Sequence, residues 1–422
     1  MLCSVDTLKK FDLLLEKHTY GGNAMGRLAD GRAVFVPFGL PGEKVRVRLL
    51  EEKKNFARAE IVDILESSEE RILPKCKHFG ECGGCHYQNL PYEKQLIVKT
   101  EILIDQLKRI GKIENPPVSP MVACPNPWNY RNHVQFHLTA DGKLGYISPL
   151  PLGEGAGVRG MPITECHLPE LPINNLWPQL EFEPNTNVER VSIRAGKDNL
   201  MLILESDTPE PPELEIKAEI SVTHLYEENT VVIAGNDHVV IRVLDRNFKV
   251  STGSFFQVNT VMAEKMVNHL VANLPVTQSS TLIDIYCGVG LFSAFFATKC
   301  ERIIGIESSE SACEDFEVNL DEFDNVELYE GLAENILPSL GGRIANLSYV
   351  IVDPPRVGLD KQVIDGIIKL NPQMIAYVSC DPSTLARDAA RFINGGYKLR
   401  DVTPFDLFPQ TYHIESICLF EK

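Results

Sequence analysis

Through residues 8–66 apolar and polar side chains alternate with a period of two, in short runs. Phe11–Lys17, Arg32–Phe38, Lys44–Leu50 and Phe56–Leu65 each read as a half-buried strand, separated by Gly21–Gly22, Gly26, Gly31, Gly39 and Gly42. About five such strands in so short a stretch predict a small β-barrel of the OB kind. Barrels of that kind hold single-stranded nucleic acid or serve as plain structural modules. From Pro91 to Ile110 the period changes to that of a helix, with Leu96, Lys99, Leu103, Leu107 and Ile110 marking one side and Ile97, Ile102 and Ile104 widening it. Such a helix lies against a domain.

From Val122 to about Val250 the pattern is strand-like again: Val134–Leu138, Arg190–Ala195, Leu200–Glu205, Glu219–Tyr226 and Val239–Leu244. Pro149 to Gly160 interrupts it with a Gly- and Pro-dense stretch of no periodicity, read as a flexible surface insertion. From Phe255 onward strands and helices alternate, which predicts a doubly wound α/β domain. Its strands are Thr281–Tyr286, Arg302–Glu307, Val326–Tyr329, Ser348–Val352, Met374–Val378, Lys398–Phe405 and Glu415–Glu421. Leu291–Lys299, Ser309–Phe323, Lys361–Lys369 and Pro382–Ile393 are its predicted helices. The expected organisation is therefore a barrel over 1–68, a mixed β domain over 69–250, and an α/β domain over 251–422.

Charge changes the picture. The net charge of the 422-residue chain is −17, which at first sight disfavours a nucleic-acid partner. Residues 1–140 nevertheless carry 20 Lys/Arg against 17 Asp/Glu, a net of +3, and the remainder carries 21 against 41, a net of −20. A polyanion is thus expected to be held from the front of the molecule. No apolar run is long enough to span a bilayer, and the first residues lack the order of a secretion signal, so a cytoplasmic protein without a membrane partner is expected. Nothing points to an obligate protein partner. Eleven unevenly clustered cysteines suggest metal or catalysis in a reducing compartment, not a disulfide framework.

One of those cysteines stands apart. In SCDPSTLARD, Ser379 to Asp388, Cys380 lies between an apolar strand and a helix that Pro382 can open and Asp381 or Ser383 can cap. Orphan backbone N–H groups and the helix dipole are expected there to favour thiolate over thiol, and so a nucleophile over a mere packing cysteine. About ninety residues upstream, DIYCGVG (Asp284 to Gly290) closes one strand and opens the next helix, letting a ligand approach the backbone. Glu307 ends the following strand, where a carboxylate can take both hydroxyls of a ribose. The missing third glycine favours S-adenosylmethionine (AdoMet) over NAD. DPPR (Asp353 to Arg356) ends the fourth strand, and its final Arg replaces the aromatic usual in methylation of exocyclic amines.

A thiol nucleophile beside an AdoMet loop suits methylation at carbon. Carbon 5 of a pyrimidine becomes nucleophilic only after a thiolate adds at carbon 6, and a base must later remove the carbon-5 proton. Cys380 can supply the thiolate. Glu415, a lone acid among Ile414, Ile417 and Leu419, becomes a useful base if desolvation raises its pKa, although alone it reads equally as a surface carboxylate.

FFQVN (255–259), DIYCGVG, DPPR, SCDPSTLARD and HIES (413–416) together resemble the signature set of the RNA uracil-5-methyltransferases, and the barrel resembles the TRAM domain found in many members. The resemblance spans nearly the whole chain. It implies a Rossmann-like AdoMet fold, Cys380 as nucleophile and Glu415 as proton-abstracting base. It also implies Gln257, Tyr286, Gly288, Glu307 and Asp353 around cofactor and uracil, and Phe255 or Phe256 beside a flipped base. Asp381 stands where the family often has Asn, and Leu291 where some relatives have a polar residue.

Cys76, Cys82, Cys85 and the distant Cys166 supply four thiolates, enough for a [4Fe–4S] cluster. Zinc is the second reading, since two Cys-x2-Cys pairs are lacking. CGGC with Gln88 nearby also resembles the cluster-bearing branch of the family. Cys3, Cys124, Cys287, Cys300, Cys313 and Cys418 read as packing residues. The expected activity is formation of 5-methyluridine in single-stranded or loop RNA, 23S rRNA first and tRNA second. A non-catalytic RNA-binding iron–sulfur protein and an amine methyltransferase are the rival expectations.

Overall fold

The computed structural model describes residues 10–147, 160–215, 219–227, 229–341, 344 and 347–422. All but the last residue of the Gly/Pro-rich stretch 149–160 lies outside them.

Alternation over the first segment produces five strands: β1 (Lys10–Thr19), β2 (Asn23–Arg27), β3 (Ala33–Pro37), β4 (Lys44–Glu52) and β5 (Phe56–Glu66). They close into a barrel in the order β1-β2-β3-β5-β4, around Leu13, Leu15, Val34, Val36, Val45 and Val47. β2 contains Gly26, which the sequence reading placed in a turn. Its glycine serves close strand approach instead: a Cβ there would stand 2.4 Å from the Leu14 carbonyl oxygen.

Helix α1 (Tyr92–Arg109) lies against the C-terminal domain, with Val98, Ile102, Leu103 and Leu107 packed beside Leu385, Ala386 and Ala389. Its buried face takes in Lys99, Ile102, Leu103 and Leu107 as expected, but not every residue of the predicted stripe. Ile97 and Ile110 are instead 50% and 38% exposed, whereas Gln95 is buried with Gln410 as its partner and Gln106 is buried with its side chain bonded to Asp105 and Arg109 of the same helix.

The central unit is a seven-stranded sheet of β6 (His133–Leu138), β7 (Leu144–Ile147), β8 (Gly160–Pro162), β9 (Val188–Ala195), β10 (Leu200–Ser206), β11 (Ser221–Tyr226) and β12 (Asn229–Ala234). Its order is β12-β11-β10-β9-β6-β7-β8, and α2 (Leu171–Leu176) contributes Ile173 to its core. Residues 239–244 do not join it. They form β13 (His238–Val243), which pairs only with β14 (Arg246–Ser251). The apolar side of this hairpin packs into the core shared by Met262, Met266 and Val267 of α3 (Thr260–Asn273).

The C-terminal sheet contains β15 (Thr281–Ile285), β16 (Arg302–Glu307), β17 (Val326–Glu330), β18 (Leu347–Val352), β19 (Met374–Ser379), β20 (Lys398–Phe405) and β21 (Glu415–Glu421). Their order is β17-β16-β15-β18-β19-β21-β20; the first five are parallel, and β21 runs antiparallel to both neighbours. Continuously apolar strands such as β18 and β19 are buried on both faces. Helices α4 (Leu291–Phe296), α5 (Glu310–Leu320), α6 (Ala333–Leu340), α7 (Lys361–Leu370) and α8 (Pro382–Asn394) cover the sheet together with α3. The expected helices are α4, α5, α7 and α8; α6 carries Pro338 inside it and gives little helical signal. Strand order reverses between β15 and β18, which opens a crevice at their carboxyl ends. No helix among the described residues is long and apolar enough to cross a membrane.

Candidate active site

A cavity of about 1000 Å³ occupies that crevice. Phe255, Phe256, Gln257, Tyr286, Gly288, Glu307, Asp353, Cys380 and Glu415 all line it, so the expected site residues converge from across 161 positions of the chain, 255 to 415.

The Gly loop follows β15. Tyr286 adopts φ 63°, a left-handed conformation that costs a bulky residue about 1–3 kcal/mol and marks a tightly determined turn. Gly290 is also left-handed at φ 89°, and a Cβ there would meet Leu320 at 2.3 Å. Glu307 organises the loop across the crevice: its carboxylate accepts Gly288 N–H at 3.0 Å and the N–H groups of Ser308 and Ser309 at 2.7 and 2.9 Å. Beneath the loop, Asp284 accepts Ser293 Oγ at 2.7 Å, while its Oδ1 is buried without a partner among the described residues.

Cys380 and Glu415 meet by register. Val378 pairs with Ile417 and Ser379 with Ser416 across the antiparallel β19–β21 ladder, so Cys380 and Glu415, the next residue on each strand, leave the same end of the sheet and both line the cavity. Helix α8 starts immediately after the cysteine, with Asp381 as its N-cap accepting Ser383 N–H at 2.8 Å and Thr384 N–H at 3.1 Å, and Pro382 at its first position. A cap of this type is worth about 1 kcal/mol. The expectation of a resting thiolate is not met, first because the thiol is buried among carboxylates, and the orphan N–H groups that would have favoured it are taken by Asp381. Burial, then Glu415 and Asp353, push the Cys380 thiol up to about 12, against the pull of Arg356. Glu415, 3% exposed, is raised well above the carboxylate range by burial and then by Asp353, again with Arg356 opposing. Burial and the nearby Asp284 bring Asp353 to about 7.

Around Cys380 itself, Glu415, Asp353 and Asp381 are opposed by Arg356 alone. A cationic nucleoside sulfonium suits such a cavity, because it brings a positive charge to a wall that holds Asp353 and Glu415.

The two phenylalanines divide. Phe256 is 5% exposed and packs on Phe248, whereas Phe255 is 69% exposed at the cavity mouth. Their loop is held by the central sheet, which sequence reasoning did not foresee. Arg194 donates to the carbonyls of Ser251 and Ser254 at 2.7 and 2.9 Å, and Asn132 donates to the Gln257 carbonyl at 3.0 Å. Arg356, Leu291 and Phe408 also line the cavity. Phe408, between β20 and β21, carries no local signal that could have found it.

The four candidate metal-binding cysteines line one separate cavity with Gln88, Arg131 and Tyr146. Loop pairing assembles them: Lys77 N–H donates to Glu165 at 2.8 Å, Thr164 N–H to His78 at 3.0 Å, and Cys76 N–H to Gln88 at 2.9 Å. Burial raises the thiols, Cys82 to about 11 and Cys85 to about 12. Among the described residues no group of three or more His, Cys, Asp or Glu side chains is close enough to share one metal ion. Cys124, Cys287, Cys300, Cys313 and Cys418 are buried, as packing residues should be; Cys3 lies outside the described residues.

A Rossmann-like sheet with a reversed last strand, a carboxylate-organised Gly loop and a barrel in front define an RNA methyltransferase of the AdoMet fold. The model of the tRNA (Uracil-5-)-methyltransferase family matches residues 227–422, and that of the TRAM domain matches residues 8–62. An uncharacterized RNA methyltransferase of Caldanaerobacter subterraneus is 34% identical, covering 98% of each chain; one of Aquifex aeolicus is 34% identical over 98% of this chain and 99% of its own. In fold, the chain is similar to the crystal structure of Pyrococcus abyssi tRNA (uracil-54, C5)-methyltransferase in complex with S-adenosyl-L-homocysteine, at TM-score 0.73 and 23% identity, over 97% of this chain and 99% of that one. The chain belongs to the RNA uracil-5-methyltransferase family with a TRAM domain.

Proposed function

We propose that this protein transfers a methyl group from AdoMet to carbon 5 of a uridine in RNA, with Cys380 as nucleophile and Glu415 as base. The observation that carries the proposal is that Cys380 and Glu415, each one residue beyond the last pair of the β19–β21 ladder, both line the cavity. Gly288, Tyr286 and Glu307 are assigned to the nucleoside of the cofactor, and Asp353 and Gln257 to the junction of cofactor and uracil. Exposed Phe255 is assigned to the face of the flipped base, and buried Phe256 to support behind it. When bound, AdoMet supplies an electrophilic methyl group and a positive charge.

The protein's own part is to control one bond and two protons. The Cys380 thiol gives its proton to solvent water and its sulfur bonds to carbon 6, placing an electron pair on carbon 5. Once carbon 5 carries the new methyl, the Glu415 carboxylate takes the carbon-5 proton. The electrons left behind restore the ring double bond, and sulfur departs. A cation in the cavity favours ionisation of both groups, which burial alone opposes.

Cys380→Ala should abolish methylation, and Glu415→Gln should accumulate a methylated covalent RNA adduct that releases slowly. Denaturing gels with 5-fluorouridine RNA and AdoMet read the adduct directly. Normal uridine methylation by Cys380→Ala would sink the mechanism.

The target is proposed to be 23S rRNA, because the four cysteines converge on one cavity and resemble the cluster-bearing branch. A tRNA target is the second reading, favoured by the name of the matching family model and by the fold neighbour. Mass spectrometry of both RNAs from cells lacking the gene decides between them. Cys76, Cys82, Cys85 and Cys166 are proposed to hold a [4Fe–4S] cluster, whose four irons spread the thiolates more widely than a single ion does. The same reading keeps the barrel as the RNA-holding unit of residues 1–68, the cluster-bearing unit at 69–250 and the catalytic unit at 251–422, in the cytoplasm.

A further inference from the structure

Tyr20 lies in the turn between β1 and β2 of the barrel, yet its hydroxyl donates to Asp381 Oδ2 at 2.8 Å, across 361 residues of chain. Asp381 is the residue after Cys380. Its Oδ1 is used by the helix, accepting the N–H groups of Ser383 and Thr384, while its Oδ2 faces the barrel. The Tyr20 ring also meets Tyr412 edge-on at 5.7 Å. Tyr412 packs in turn against His86 at 4.6 Å and His413 at 4.3 Å, two residues before Glu415. One barrel side chain therefore touches both the cap of the nucleophile's helix and the strap that leads to the candidate base.

We infer that Tyr20 is a positioning residue of the active site: through its bond to Asp381 the barrel completes the cap that orients Cys380. The inference rests on the reading of Cys380 as nucleophile. An unsatisfied carboxylate beside a thiol opposes its ionisation, and a cap with one free oxygen can turn about its side-chain bonds. The Tyr20 hydroxyl limits both effects, since it disperses the charge of Asp381 and fixes its rotamer. The charged and titratable groups facing Cys380 are Glu415, Asp353, Arg356 and Asp381; those facing Tyr20 are Asp381, Tyr412 and Arg356. An ordinary domain contact would hold the barrel in place and leave the chemistry alone.

Full-length Tyr20→Phe keeps the ring and removes only the hydroxyl. Three readouts separate the roles: RNA affinity, the single-turnover methylation rate at saturating RNA and AdoMet, and the pH profile of iodoacetamide alkylation at Cys380. The expected result is unchanged affinity, a single-turnover rate lower by about tenfold, and an alkylation profile displaced to higher pH. An unchanged single-turnover rate overturns the inference, whether or not affinity falls. Asp381→Asn provides the second arm, with thermal unfolding followed for every variant. In its background Tyr20→Phe should cost little more, whereas losses that multiply independently overturn the coupling. Wild-type protein that fails to methylate uridine would refute the proposed function instead, and would be seen before any variant is made.

Discussion

At the scale of single residues, the chemistry turns on which protons are present at rest. Cys380 has a helix start behind it, which by itself favours thiolate, but Asp381, Asp353 and Glu415 surround it and only Arg356 opposes them. Burial is the largest cause of the raised thiol, and Glu415 and Asp353, which line the same cavity, add to it. A thiol raised to about 12 is mostly protonated at neutral pH, and its thiolate fraction grows with pH up to that value. Alkylation of Cys380 in cofactor-free protein should therefore rise roughly tenfold per pH unit from about pH 7 to 10, without a plateau. A plateau near the pKa of an ordinary cysteine contradicts this account. Asp353→Asn should raise alkylation at any fixed pH in that range, measured by mass spectrometry of the Cys380 peptide. The candidate nucleophile's setting was legible in the sequence, since strand, cysteine, cap and proline are consecutive. The direction of its pKa shift was not, because it depends on carboxylates 27 residues before it and 35 after it.

At the scale of elements, α1 acts as a clamp on the strap between β20 and β21. Lys99 and Asp406 form an ion pair at 2.6 Å with both side chains 0% exposed, and Lys99 also donates to the Phe408 carbonyl at 3.0 Å. Gln95 and Gln410 exchange hydrogen bonds at 2.9 and 3.0 Å. Phe408 lines the cavity and Glu415 begins the strand beyond, so the clamp sets the position of one whole wall. Lys99→Ala should destabilise the protein by about 3–5 kcal/mol, because Asp406 is left buried and uncompensated. Lys99→Met combined with Asp406→Leu should recover most of that loss. Urea unfolding of the single and double variants checks the pair, and equal losses in both would show that packing, not charge, is responsible. The helix was legible from its 3.6 period. Lys99 was read into the stripe, but its partner lies on an element 307 residues away and leaves no local trace.

At the scale of the whole molecule, charge and cysteines divide the labour. The mildly basic front and the acidic remainder favour holding a polyanion from the barrel side, and Tyr20 ties that barrel to the C-terminal domain. Between them lies the cysteine loop, with Phe38 of the barrel against Phe79 at 5.1 Å and His86 against Tyr412. A cluster held there would stiffen a three-way junction. Anaerobically purified protein should carry about four irons and four labile sulfides per chain. Cys82→Ser with Cys85→Ser should remove the iron and lower the unfolding temperature. Zinc in place of iron in the wild type would refute the assignment.

Read alone, the sequence determined the parts whose causes are local. These are the periods that set strand and helix, the turns and caps between them, and the motifs at the carboxyl ends of the parallel strands. Folding decided what depends on distance through space: Cys380 and Glu415 in one cavity, the 239–243 strand in a hairpin of its own, the partners of Gln95 and Lys99 on the far strap, and the reach of Tyr20 to Asp381. Covalent neighbours dictate backbone preference. Electrostatics, burial and packing answer to whichever residues the closed chain brings near, and no window of sequence contains both partners.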